Sequence, residues 1–170
     1  MRIGSIFDRN KSRNQLGYTL GATVTDLGLP YLTLGAEYTR INPFVYRNLT
    51  PAQDYTSHDY SLGDWMGNNA DRWIIHAKYT PIPRLKINLR YQQIRKGGAG
   101  TYDQQYFQMP QPSFLFDLQS HQKEWFLQAS YQWIHNLYLN ASFSARQTTN
   151  MVSGAKTNND LLHLGVAFGL

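Results

Sequence analysis

The chain has 170 residues, of which 42% are hydrophobic, 16% charged and 14% aromatic, with no cysteine and a formal net charge of +5. This balance excludes an unfolded tail, and the lack of cysteine excludes disulfide frameworks and thiolate metal sites. No apolar run approaches the ~20 residues of a membrane-spanning helix, but a β-barrel hides its membrane signal by alternating lipid-facing apolar with polar lumen residues.

Taken in chain order, a weaker strand pattern covers Arg2 to Asp8, and a clear one begins at Gln15. From Gln15 to Asp26, Leu16, Tyr18, Leu20, Ala22 and Val24 fall on one face and Gly17, Thr19, Gly21, Thr23 and Thr25 on the other, which is the period of two of a strand. A short turn, 26–30, leads to a second strand over Tyr31 to Asn42, with Leu32, Leu34, Ala36 and Tyr38 opposite Thr33, Gly35, Glu37 and Thr39. The same unit recurs with Trp73, Ile75, Ala77 and Tyr79 opposite Arg72, His76, Lys78 and Thr80, where Ile74 is the apolar exception. After the turn at 80–84 it continues with Leu85, Ile87, Leu89 and Tyr91 opposite Lys86, Asn88, Arg90 and Gln92. A third hairpin sets Trp125, Leu127, Ala129, Tyr131 and Trp133 beside Leu137, Leu139, Ala141, Phe143 and Ala145, with a bend at 134–136. The chain closes on Leu162, Leu164, Val166, Phe168 and Leu170 alternating with His163, Gly165, Ala167 and Gly169.

A soluble sandwich also alternates, with its charged face toward water and its apolar face on a second sheet. Three features favour a membrane barrel instead. The connections alternate between short turns and long loops at 42–70, 95–121 and 147–158, as periplasmic turns alternate with external loops. Outward aromatics fall at two levels, Tyr18, Tyr38, Trp73, Tyr91 and Trp125 near the long loops and Tyr79, Trp133 and Phe168 near the turns. The six residues from Trp73 to Tyr79 span ~20 Å, comparable with the ~25 Å apolar band between aromatic girdles. The last strand runs to the C-terminus with Phe168 and Leu170 outward, which places that terminus on the periplasmic side. The expected fold is therefore an all-β, antiparallel transmembrane β-barrel segment of about eight strands, one domain over 1–170, in a bacterial (Gram-negative) outer membrane. Eight strands can close a small barrel or form part of a wider one, and the lack of an export signal together with a start directly at a strand favours a part.

Polar lumen positions are Glu37, Arg72, His76, Lys78, Lys86, Arg90, Glu124 and Arg146. The long loops hold Tyr46, Tyr55, His58, Asp59, Tyr60 and Trp65 in the first, and Arg95, Lys96, Tyr102, Tyr106, Phe107, Phe114 and Phe116 in the second. Aromatic faces stack on sugar rings while carboxylates, amides and cations bind their hydroxyls and carboxylates, so Tyr46, Tyr55, His58, Asp59, Tyr60, Trp65, Arg95 and Lys96 are the candidate polysaccharide-binding residues. The plainer role for any one of these aromatics is packing of the loops onto one another and onto the rim. Asp54, His58, Asp59, Asp64 and Asp71 fit no calcium-loop spacing, no nucleophile motif is present, and no cofactor or metal is expected. The cations are scattered over strands and not gathered on a helix, which argues against nucleic acid.

Two stretches, EYTRINPFVYRN (37–48) running into YTSHDYSLGDWMGNNADRW (55–73), and PRLKINLRYQQIRKGGAG (83–100), resemble the C-terminal half of the Wzi-type capsule assembly family. The match is carried by Glu37, Tyr38, Thr39, Pro43, Tyr46, Tyr55, His58, Leu62, Gly63, Gly67, Asn69, Ala70, Asp71, Arg72, Arg84, Tyr91 and Gln92. The resemblance implies an eighteen-stranded outer-membrane barrel, much longer than this chain, that binds capsular polysaccharide as a lectin. Glycines in the motif suit turns, and Asn69 and Asp71 suit capping of backbone groups. The expected function is non-enzymatic binding of capsular or exopolysaccharide during its assembly or attachment, with membrane lipid, lipopolysaccharide and other chains of an envelope complex as partners. A porin-like channel selecting small anions is the alternative, followed by a small outer-membrane barrel enzyme acting on lipid or peptide.

Overall fold

The computed structural model describes residues 15–48, 50, 56–57 and 60–169, with the backbone alone at 56, 57, 60 and 61. The strand expected over Arg2 to Asp8 and the candidates Tyr55, His58 and Asp59 lie outside the described residues. The protein is all-β. Seven long strands make one antiparallel sheet in the order β1 (Gly17–Thr25), β2 (Leu32–Ile41), β5 (Ala70–Ile82), β6 (Leu85–Lys96), β7 (Ser120–Ile134), β8 (Leu137–Asn150) and β9 (Lys156–Phe168). The sheet is open, with β1 and β9 at its edges. A two-residue pair, β3 (Thr56–Ser57) with β4 (Tyr60–Ser61), and one five-residue helix, α1 (Tyr102–Tyr106), lie in the two long connections.

Each strand falls where the alternation places it, because a one-residue slip would exchange its two faces. The β8–β9 register shows this directly: Leu137 faces Phe168, Leu139 faces Val166 and Phe143 faces Leu162, while Ser142 faces His163 and Asn140 faces Gly165. The turns are built from residues that tolerate a left-handed backbone. Asp26 (φ 61°) accepts from the Tyr31 amide through its side chain at 2.6 Å, and Asn136 (φ 64°) sits in the two-residue bend between β7 and β8.

The connection expected as a long loop over 147–158 is instead a tight hairpin of five residues, 151–155. Thr148 pairs with Thr157 and Thr149 with Lys156, so the strands continue past the last apolar position. The reason is local. Asn150 Oδ1 accepts from the Val152 and Ser153 amides at 2.9 and 3.0 Å, and Gly154 supplies the positive φ of 72° that closes the turn. Thr and Asn on both faces hide this strand from a hydrophobic pattern, although backbone pairing needs no apolar side chain.

Two compact units make up the chain. The first comprises Thr39–Asp71 and Arg95–Ser120 with the start of β1, and the second comprises Leu20–Tyr38, Arg72–Ile94 and the chain from His121 onward. Among the described residues, the first unit holds most of the buried side chains: Thr39, Ile41, Phe44, Met66, Asn69, Ala70, Asp71 and Gln105. The buried side chains described in the second are Ile94 and Glu124.

Candidate functional site

The first unit is organised around Asn69, which is fully buried with φ 55°. Its Nδ2 donates to the carbonyls of Gly98 (2.9 Å) and Phe116 (3.2 Å), and its Oδ1 accepts from the Leu115 amide (2.7 Å). Its own backbone carbonyl accepts from Gly97 at 2.8 Å, so one side chain and one peptide tie both long connections together. Asn69 thus satisfies backbone groups as its place in the motif suggested. The buried Asp71 carboxylate takes a two-point grip from Arg95, Nε at 3.0 Å and Nη2 at 2.5 Å.

That grip decides the fate of several candidates. Arg95 is committed to Asp71, and Lys96 donates to the Met66 carbonyl. Burial lowers the Lys96 ammonium below the usual lysine value, opposed by the nearby Asp64 carboxylate; the residue lies five positions beyond Tyr91 and so past the aromatic row. Tyr46 packs its ring against Gly63, where a Cβ would fall 2.5 Å from the ring, and its hydroxyl accepts from the Asp64 amide at 3.0 Å. These three side chains hold the loops in shape. Trp65 differs, being 66% exposed.

A second exposed aromatic group comes from loop residues named in the sequence but not among the binding candidates. At α1, the Tyr102 ring lies tilted against those of Tyr106 and the C-cap Phe107, with centroids 4.9 and 6.0 Å away, and Phe107 is 72% exposed. The helix is pinned by a capping box, Thr101 accepting from the Gln104 amide at 3.2 Å while Gln104 Oε1 accepts from the Thr101 amide at 2.8 Å. Buried Gln105 donates to the Arg47 carbonyl at 3.3 Å. The signal was present as Thr101-x-x-Gln104, a capping-box spacing inside what reads as an unstructured loop.

The second unit carries the polar and apolar faces of the strands. On the polar side Arg72 Nη2 meets Glu37 Oε1 at 2.9 Å, and the His76 ring lies across Gly35, where a Cβ would sit 2.4 Å from it. Lys86 is exposed, and Arg90 meets Glu124 at 3.2 Å. On the other side Tyr38 and Trp73 (4.5 Å between centroids) and Tyr91 and Trp125 (4.6 Å) form neighbouring-strand aromatic pairs. Exposure at the start of β7 is inverted relative to a water-soluble sheet: Trp125 and Leu127 are 53% and 46% exposed, whereas Glu124, on the opposite face, is 5% exposed. Leu20, Ile75, Trp133, Leu162, Leu164, Val166 and Phe168 are likewise exposed.

Among the described residues no group of His, Cys, Asp and Glu is placed to hold a metal ion. Comparison with protein-family models, with curated proteins and with solved structures finds no match to this chain.

Proposed function

We propose that this chain is a segment of an outer-membrane β-barrel that binds a surface polysaccharide, in the assembly or attachment of a capsule or exopolysaccharide. The observation that carries the reading is the inverted exposure of the strands. Large apolar side chains stand exposed on every long strand while the carboxylate of Glu124 is buried, an arrangement that water disfavours and hydrocarbon stabilises. The aromatic pairs Tyr38–Trp73 and Tyr91–Trp125 sit where a girdle belongs. An open sheet edge leaves backbone groups unsatisfied in lipid, so the barrel needs further strands. Since β1 and β9 are the first and last of seven antiparallel strands they run in the same direction, and closure takes an odd number of additional strands between them.

The polysaccharide reading rests on the loops. A self-supporting scaffold around Asn69 presents Trp65 on the first connection and Tyr102 and Phe107 on the second, and exposed rings held in place contribute stacking area at little entropic cost. Replacing Trp65, Tyr102 and Phe107 together with Ala should reduce retention of surface polysaccharide on cells about tenfold or more, at roughly 0.5–1.5 kcal/mol per ring, with folding checked by heat-modifiable gel mobility. Unchanged retention by a folded variant rejects the reading; steady open-channel current in planar bilayers would then favour a pore.

A further inference from the structure

We propose that Arg146 and Arg90, held beside the buried Glu124 on the polar face of the sheet, form a subsite for the carboxylate of an acidic sugar. The inference rests on the polysaccharide reading and deepens it by naming the charge of the ligand and the groups that meet it.

Glu124, in β7, uses both of its oxygens. Oε1 accepts from Arg90 Nη2 of β6 at 3.2 Å and Oε2 from Arg146 Nε of β8 at 2.8 Å. One carboxylate therefore orients two guanidinium groups from the strands on either side of it, and the trio keeps a net positive charge. Their side chains are 43% and 50% exposed, against 6% for Glu124, so the carboxylate is the covered anchor and the cations are what the surface offers.

Geometry distinguishes the two arginines. Arg146 engages Glu124 only through Nε, and no described residue accepts from its Nη1 and Nη2, so the terminal fork that matches a two-oxygen ligand stands open. Arg90 lies 5.2 Å from the centre of the Phe126 ring, and its Nε is buried with no acceptor among the described residues. A single arginine would neutralise Glu124. The second brings two like charges together, an arrangement stabilised when an anion joins them.

The surroundings reinforce the sign. Lys78 and Lys86 are exposed on the same face by the alternation of β5 and β6, whereas the negative Glu37 is already matched by Arg72. The loop cations among the polysaccharide-binding candidates, Arg95 and Lys96, are held by Asp71 and the Met66 carbonyl. Arg146 thus replaces them as the cation with an open fork.

The test uses the full-length protein folded in detergent, titrated with an oligogalacturonate and, separately, with a neutral malto-oligosaccharide. Arg146→Gln should weaken the acidic oligomer at least tenfold and leave the neutral one unchanged, with Arg146→Lys intermediate because it keeps charge without the fork. The double variant Glu124→Gln/Arg146→Gln, which leaves no uncompensated carboxylate, should fold and show the same loss. Wild-type affinity for the acidic oligomer in both Arg146→Gln and Arg90→Gln overturns the subsite while the polysaccharide reading stands. Failure of the wild-type protein to bind either saccharide overturns that reading and the subsite with it.

Discussion

The loop unit and the β8–β9 hairpin have opposite relations to their surroundings. The loop unit buries Asn69, Asp71, Ile41, Phe44 and Met66 and closes its polar groups on one another, whereas every residue of β9 except Gly165 is exposed. One region supplies its own interior. The other is ordered by backbone pairing from Leu137↔Phe168 to Thr149↔Lys156 and leaves Leu162, Leu164, Val166 and Phe168 exposed. Hydrophobic sequence and hydrophobic core are therefore different things here: the apolar stripes of the strands are not the interior, and a polar side chain, Asn69, is the centre of the best-buried region.

If that contrast is right, a charge on the outward face should have the largest effect. Leu139→Arg should cost ~2–4 kcal/mol of barrel stability in a folding titration in lipid, and Ser142→Arg, on the opposite face, much less. Equal costs would erase the distinction between the faces.

Asn69→Ala tests the other side of the comparison. It removes two donated bonds and one accepted bond at a fully buried position, so the connection 97–119 should lose about 2–3 kcal/mol of local stability, read as faster amide exchange there. Strand amides should keep their protection. A loss spread equally through the strands would show that the loops do not stand as their own unit.

Gly97→Ala sharpens the same point more gently. An added Cβ would fall 2.2 Å from Asn69 Nδ2 and 2.6 Å from the Phe116 carbonyl oxygen, both fixed by hydrogen bonds, so about 1–2 kcal/mol should be lost in the same exchange experiment. The smallest effect belongs to Gly154→Ala. Open space surrounds this position, and only its φ of 72° penalises a side chain, so about 1 kcal/mol should appear as faster exchange confined to the 151–155 turn. A cost as large as that of Gly97→Ala would mean that the hairpin turn is more tightly constrained than its surroundings indicate.

The alternation of Leu, Ala, Tyr and Trp with polar residues was enough to place seven strands and their two faces, because side-chain direction in a strand depends only on position along the chain. It also placed Glu37, Arg72, His76, Lys86 and Arg90 on one face. Periodicity was silent where no apolar residue marks the fold: the pairing of Thr148 and Thr149, the capped turn of α1 and the hub at Asn69 all rest on hydrogen bonds. Tyr46, Arg95 and Lys96 have the composition of a binding surface, and only long-range partners, Gly63, Asp71 and Met66, show that they hold loops together. The same holds for Glu124, Arg90 and Arg146. Their strand and face follow from sequence alone, but which cation keeps an open fork is decided by distances across three strands, and those exist only once the sheet has formed.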